Sequence, residues 1–145
     1  MLANLAYNND NQVKIAEKGG IEVAIEALKR HPGVATVQEE GCIMLANLAY
    51  NNDNKVKIAE KGGIEVAIEA LKRHPGNEGV QKCGCSMLGN LAQNDDNQVK
   101  IAEKGGIELA IEALKRHPGN EGVQEYGCYV PVSYTHLTLP TILRV

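Results

Sequence analysis

Hydrophobic residues recur along this chain at helical spacing. Ile21, Ala24, Ile25 and Leu28 fall at positions i, i+3, i+4 and i+7, which share one face of an α-helix. The pattern predicts a helix from Ile21 to about Arg30. Its last turn is basic, which suits the negative end of the helix dipole, and a proline follows that cannot continue the helix.

Two further helices are predicted around this one. A first helix is expected to begin near Asp10, whose side chain can accept from the free N–H groups of a helix start, and to run through Ala16. Gly19 follows it and suits the left-handed conformation that ends helices. A third, longer helix is predicted over residues 34–49 and again over residues 77–92, with Asn77 as its N-cap. No segment alternates with the period of two that a strand needs, so the sequence predicts an all-α fold.

The whole pattern repeats at a fixed interval of 43 residues. The segment that begins at Met1 returns at Met44 and Met87, and residues 1–43 match residues 44–86 at 36 positions. Residues 1–130 therefore divide into three repeats, 1–43, 44–86 and 87–130, and both outer repeats are truncated within a third helix. Such a repeat buries its hydrophobic face only by stacking on its neighbours.

A short helix, a Gly-Gly-Ile turn, a second helix and a longer third helix in about 43 residues resemble the armadillo repeat family. The resemblance rests on residues 54–64 (NKVKIAEKGGI) and 84–92 (GCSMLGNLA), and it covers residues 1–130. It implies an α-α superhelix, an armadillo-type solenoid with three helices per repeat. Paired-helix repeats of the HEAT type are the alternative, and the Gly-Gly break between two short helices favours armadillo.

The repeat stops after Val130, because Pro131 would break the third helix in its middle turn. Residues 132–141 (VSYTHLTLPT) resemble a translated transposase mosaic-end sequencing adapter. We therefore expect residues 131–145 to be a non-native tail, and a divergent natural C-terminal tail is the alternative. The remainder is expected to be an internal fragment of a longer solenoid, whose uncapped ends expose hydrophobic helix faces and self-associate.

The composition of the chain limits the classes of partner and the cellular compartment that we expect. The net charge is -3, and no apolar run approaches the ~18 residues of a membrane span, so we expect neither nucleic-acid nor membrane partners. Trp and Phe are absent, which fits thin layers of Leu, Ile, Val and Ala between stacked helices. Cys42, Cys85 and Cys128 share one repeat position and are expected to be small core residues, which suits an intracellular (cytoplasmic or nuclear) protein.

Residues with catalytic chemistry recur in every repeat and are therefore expected to be structural. His31 precedes Pro32 at the end of the second helix, and the pair returns in both later repeats, whereas a catalytic histidine would be expected once. Cys83 and Cys85 lie on different faces of a helix, so they cannot share a metal ion. We expect no enzyme activity, no metal site and no cofactor.

Differences between the repeats concentrate on one side of the third helix. Positions 36, 39, 40, 43, 46 and 50 fall within an arc of roughly 120°. We interpret this stripe as a solvent-facing binding surface that has diversified, with neutral drift as the alternative. Cys83 is expected to be an exposed thiol of this surface. The candidate contact residues on the stripe are Glu39, Glu40, Ile43, Tyr50, Lys82, Cys83, Ser86 and Gln93.

One stripe residue does not vary: it is Asn4, Asn47 or Asn90. An amide side chain offers both a donor and an acceptor, so a row of amides can hold a peptide backbone without reading its sequence. In the armadillo family the third helices line a concave groove, carry Asn at this position and bind extended peptides, and the resemblance implies the same use here. The alternative is that the Asn row bonds only to neighbouring helices.

Importin-like armadillo proteins carry Trp four residues before this Asn. Here those sites hold Ile43, Ser86 and Tyr129, so recognition of basic nuclear-import signals is not expected. The sequence thus predicts a non-catalytic module that binds an extended peptide or protein partner along its third helices. A structural scaffold that assembles through its uniform outer surface is the alternative.

Overall fold

A computed structural model describes residues 1–129 of the chain. This range contains ten α-helices and no strand, which confirms the all-α fold. The helices are α1 (Leu2–Leu5), α2 (Asn9–Glu17), α3 (Gly20–Arg30), α4 (Ala35–Leu48), α5 (Asn52–Glu60), α6 (Gly63–Arg73), α7 (Glu78–Leu91), α8 (Asp95–Glu103), α9 (Gly106–Arg116) and α10 (Glu121–Gly127). The predicted non-native tail, residues 131–145, lies outside the described residues.

The repeat of the sequence is a repeat of three helices. Helices α2, α5 and α8 are the first helices of the repeats, α3, α6 and α9 the second, and α4, α7 and α10 the third. Helix α1 corresponds in sequence to the C-terminal part of a third helix. The predicted bounds of the second and third helices are confirmed to within one or two residues.

The first helix begins at Asn9, near the predicted start at Asp10, but the predicted N-cap is wrong. Asn8, not Asp10, caps α2, because its backbone is extended and its side chain accepts from Asp10 N (2.9 Å) and Asn11 N (3.2 Å). Asn51 caps α5 in the same way, accepting from Asn54 N (3.0 Å), so α5 begins directly after it at Asn52. Each third helix therefore passes into the next first helix through a very short connection.

A glycine pair sets the sharp turn between first and second helices. Gly19 takes φ +84°, the left-handed conformation that glycine adopts without strain, and Gly62 and Gly105 repeat it at +96° and +90°. A side chain on Gly63, the next residue, would lie 2.8 Å from Ile58 O, so the two helices meet too closely for any other residue. This turn is the feature that the sequence singled out.

The third helices lie side by side. Helix α4 packs against both α1 and α7, and α7 also packs against α10. The second helices form a parallel row, with α3 against α6 and α6 against α9. Gly84 lets Leu71 of α6 approach α7, since a Cβ there would lie 2.7 Å from Leu71 Cδ2. The core is correspondingly thin and aliphatic.

Side-chain donors join each repeat to the one before it. Asn54 Nδ2 of the second repeat donates to Gln12 O of the first (3.3 Å). Asn97 Nδ2 of the third repeat donates in the same way to Lys55 O of the second (3.2 Å). His74 Nε2 lies 2.8 Å from Pro32 O. Each of these bonds joins a donor of the later repeat to a backbone carbonyl of the earlier one.

Candidate functional site

The predicted contact residues differ in how far they reach the surface. Asn4, Glu40, Tyr50 and Lys82 are exposed, and Glu39, Ile43, Ser86 and Gln93 are half-buried. Asn47, Asn90 and Cys83 are buried. The stripe is therefore only partly solvent-facing, and its buried members need a separate explanation.

A small cavity gathers part of the predicted set. It has a volume of about 120 Å³ and opens between α4, α7 and α10. Its lining includes five predicted residues, and Tyr7 and Tyr126 join them although neither was among the predicted contacts. The full lining is Tyr7, Ile43, Ala46, Asn47, Lys82, Cys83, Ser86 and Tyr126. We call this cavity and the exposed residues beside it, Glu40, Tyr50 and Glu125, the third-helix surface.

Tyrosines cluster on the third-helix surface. The rings of Tyr126 and Tyr129 lie 5.8 Å apart at an angle of 56°. Burial raises the pKa of the Tyr126 phenol, and the nearby Glu125 carboxylate and the Tyr50 and Tyr7 phenols raise it further. Four of the five tyrosines of a chain without Trp or Phe therefore occupy one neighbourhood.

A signal for the two missed tyrosines was present in the sequence. Tyr7 occupies the same repeat position as Tyr50, which was chosen as a contact. Tyr126 occupies the variable position that holds Cys83 one repeat earlier. Four of the five tyrosines lie at such positions, and this concentration points to both Tyr7 and Tyr126.

The prediction that Cys83 is exposed is wrong. Its side chain is only 3% exposed, because α7 lies between α4 and α10 and residue 83 faces into this row of helices. Burial raises the pKa of the Cys83 thiol to about 12, and the Glu39 and Glu40 carboxylates act in the same direction. The thiol is thus a neutral packing group at the floor of the cavity.

The other three cysteines were expected to be core residues. Cys42 and Cys85 are buried, as expected, and burial raises their pKa values to about 12 and about 11. Cys128 differs, since it follows the end of α10 and is exposed in the described part of the chain. All four are free thiols.

The Asn row bonds across the third helices. Asn47 Nδ2 donates to Ala3 O, and Asn90 Nδ2 donates to Ala46 O, both at 2.9 Å. Ala46 O lies in the last turn of α4, where the N–H of Tyr50 turns to Asn47 O instead. The amide therefore satisfies a carbonyl at the end of the neighbouring helix. This is the geometry of the alternative in which the row serves helix packing.

Asn90 has no access to a ligand in this arrangement. It is 1% exposed, and its Oδ1 is buried without a hydrogen-bond partner. Asn47 lines the cavity, whereas Asn4 is exposed. The three members of the row thus have three different surroundings.

Some of the variation along the stripe is explained by packing between repeats. A Cβ on Gly79 would lie 2.5 Å from the Glu39 carboxylate, and a Cβ on Gly89 would lie 2.8 Å from Tyr129 Cδ1. Ala46, the equivalent of Gly89 one repeat earlier, is buried. Large and small residues therefore alternate between adjacent third helices, and the expectation that this whole stripe is solvent-facing is wrong.

Within residues 1–129 no group of three or more His, Cys, Asp or Glu side chains could hold a metal ion. At the ends of α6 and α9, His74 Nε2 lies 2.8 Å from Pro32 O and His117 Nε2 lies 2.7 Å from Pro75 O. Among the described helices none is long and apolar enough to cross a membrane.

Comparisons with family models and curated proteins identify no relative of the chain. No protein-family model matches the chain, and a search of curated proteins gives no significant match. The class that the fold and site define is a repeat protein of three-helix units with a tyrosine-rich surface on its third helices.

Proposed function

We propose that the chain is an armadillo-type solenoid whose third-helix surface binds an extended peptide segment of a partner protein without catalysis. Three features support the assignment to this type. Each repeat has three helices, a left-handed glycine separates the first two, and the third helices lie side by side. The residues that resemble armadillo repeats are those that build these features.

The tyrosine cluster is the observation that carries the proposal. Tyrosine offers a large contact area at low conformational cost and a hydroxyl that can donate or accept, and it is enriched at protein interfaces. Tyr126 packs against the aliphatic core, whereas Tyr7 and Tyr50 are 71% and 50% exposed. Binding a partner is the role that explains why the chain places its aromatic residues here.

Polar groups around the cavity suit a peptide backbone. Lys82 can donate to carbonyl groups, Glu40 can accept from N–H groups, and Ser86 can do both. Asn4 is exposed and adds an amide at one end, while buried Asn90 is not a contact in this proposal. The cavity of about 120 Å³ has room for a small aliphatic side chain of the peptide.

Selection from a displayed library of random twelve-residue peptides would test this proposal. Peptides that bind the chain would then be titrated against Tyr50→Ala and, as a matched control, Arg73→Ala, which changes an exposed residue of α6. We expect Tyr50→Ala to weaken binding at least tenfold and Arg73→Ala to leave it unchanged. Binding that tolerates Tyr50→Ala and Lys82→Ala together would refute the proposal.

A structural scaffold is the second candidate, and the Asn row favours it. The amides of Asn47 and Asn90 satisfy helix ends instead of facing outward. On this alternative the contacts come from the outer faces of the second helices, whose sequence is the same in the first two repeats. Loss of peptide binding in Arg73→Ala with retention in Tyr50→Ala would favour it.

We also propose an intracellular location. Cys42, Cys83 and Cys85 are free and buried, and each would have to leave the core to form a disulfide. A reducing compartment keeps such thiols in the state that packs here.

A further inference from the structure

The last described repeat exposes hydrophobic residues that the earlier repeats bury. Ile107 is 56% exposed, whereas its equivalents Ile21 and Ile64 are both 0% exposed. Ile111 behaves in the same way relative to Ile68. In the first and second repeats, the repeat that follows covers the equivalent residues. We call Ile107 and Ile111 the C-terminal face.

The first repeat shows the complementary exposure. Val23 is 62% exposed, and its equivalent Val66 is 7% exposed because α6 packs against α3. Leu5 is exposed, while Leu48 is fully buried. Beside these residues lies an open cavity of about 400 Å³, which Lys14 also lines. We call Leu5, Lys14 and Val23 the N-terminal face.

Hydrogen bonds across the internal repeat junctions all have one direction. Lys57 Nζ donates to Ala16 O (3.2 Å), and Asn47 Nδ2 and Asn54 Nδ2 donate to earlier carbonyls as described above. The N-terminal side of a repeat therefore carries side-chain donors, and its C-terminal side carries backbone acceptors. Such a junction pairs head to tail and not with itself.

The ion pairs across the junctions have the same direction, from a lysine of the later repeat to a glutamate of the earlier one. Lys57 Nζ lies 3.8 Å from Glu22 Oε1, and Lys100 Nζ lies 3.6 Å from Glu65 Oε1. Lys14 is the equivalent lysine of the first repeat, and Glu108 is the equivalent glutamate of the last. The two faces of one chain thus carry the two halves of an ion pair that forms twice within it.

We propose that the N-terminal face of one copy binds the C-terminal face of a second copy, continuing the 43-residue register across the junction. The occupant of each face is a second copy because both halves of the internal junction are present, unpaired with each other, on the same chain. The contact is heterologous, so it adds copies end to end. The expected pairs are Asn4 with Gly89 O, Asn11 with Gln98 O, Lys14 with Ala102 O and Glu108, and His31 with Pro118 O.

The test uses the whole 145-residue chain with reductant, measured by sedimentation velocity over a range of concentrations. For the wild-type chain we expect a mass that rises from 15.6 kDa with concentration. Val23→Asp blocks the N-terminal face and Ile111→Asp blocks the C-terminal face, and both residues are exposed in the monomer, so neither change disturbs folding. Each variant alone is expected to stay monomeric.

An equimolar mixture of the two variants separates this junction from other association. One intact N-terminal face and one intact C-terminal face remain, so the mixture should form a one-to-one dimer of about twice the monomer mass and nothing larger. Val56→Asp is the matched control, since Val56 is comparably exposed but lies in the middle repeat, and it should associate like the wild-type chain.

Three results would overturn the proposal. A wild-type chain that stays monomeric at high concentration would show that no second copy binds. Variants that still associate singly would place the contact elsewhere. A mixture that stays monomeric while the wild-type chain associates would exclude the head-to-tail pairing.

Discussion

Replacement of Asn90 by aspartate turns one hydrogen-bond donor of the Asn row into an acceptor. Asn90 Nδ2 donates to Ala46 O at 2.9 Å, and the side chain is almost fully buried. In Asn90→Asp a carboxylate oxygen takes the place of the donor, so two acceptors face each other in a buried site. The change preserves the shape of the side chain, replaces its NH2 donor by an oxygen and adds a negative charge.

The cost can be worked from this environment. Burial without a donor raises the pKa of a carboxyl by about three pH units, and each unit is about 1.4 kcal/mol. We therefore expect Asn90→Asp to lower the free energy of unfolding by about 4 kcal/mol at pH 7. A folded-state pKa above the unfolded value gives stability that is present below about pH 4 and is lost as the pH rises.

Urea unfolding followed by helical circular dichroism would measure this difference between pH 3 and pH 8. The control is Asn52→Asp, because Asn52 is exposed and the equivalent residue of the next repeat is already Asp95. Asn52→Asp should cost less than about 0.5 kcal/mol at any pH. If Asn90→Asp matched this control at pH 7, the amide would not be the donor that joins the two helices.

Three further predictions follow from individual contacts. Val34→Asn should raise the free energy of unfolding by about 1 kcal/mol in urea titrations, because Val34 leaves α4 without the side-chain cap that Asn77 gives α7; no increase would contradict this. Gly63→Ala should cost about 2 kcal/mol in the same assay because its Cβ would lie 2.8 Å from Ile58 O. Gly33→Ala should cost far less, because its Cβ would meet only the end of the Arg73 side chain at 3.9 Å. A thiol reagent should modify Cys128 at once and the buried thiols only on unfolding, and rapid modification of all four thiols would contradict this. The free energy of unfolding should also fall above pH 9, because the buried thiols ionise in the unfolded chain but not in the folded one.

The fold was predictable because its determinants are local and repeated. Periodicity gave the second and third helices, and Gly19 is left-handed as its place between two helices indicated. The cap at Asn8 was missed because several neighbouring polar residues can each cap a helix, and only the backbone conformation decides which one does.

The site was less predictable because it depends on contacts between repeats. A stripe on an isolated helix gives no information on whether the next helix covers it, so Cys83 and Ala46 were placed in solvent although both are buried. The pairing of Gly89 with Tyr129 needed the distance between two third helices. Tyr50 and Lys82 were predictable because they lie at the edge of that row.

Nuclear magnetic resonance with a selected peptide tests the central claim most directly. Backbone amide shifts of the labelled chain would be followed as the unlabelled peptide is added, at a concentration where the chain is monomeric. We predict that the shifts concentrate at Tyr7, Tyr50, Lys82, Ser86 and Tyr126 on the third-helix surface. Shifts confined to the second helices, or to Val23 and Ile107 at the two end faces, would contradict peptide binding at this surface.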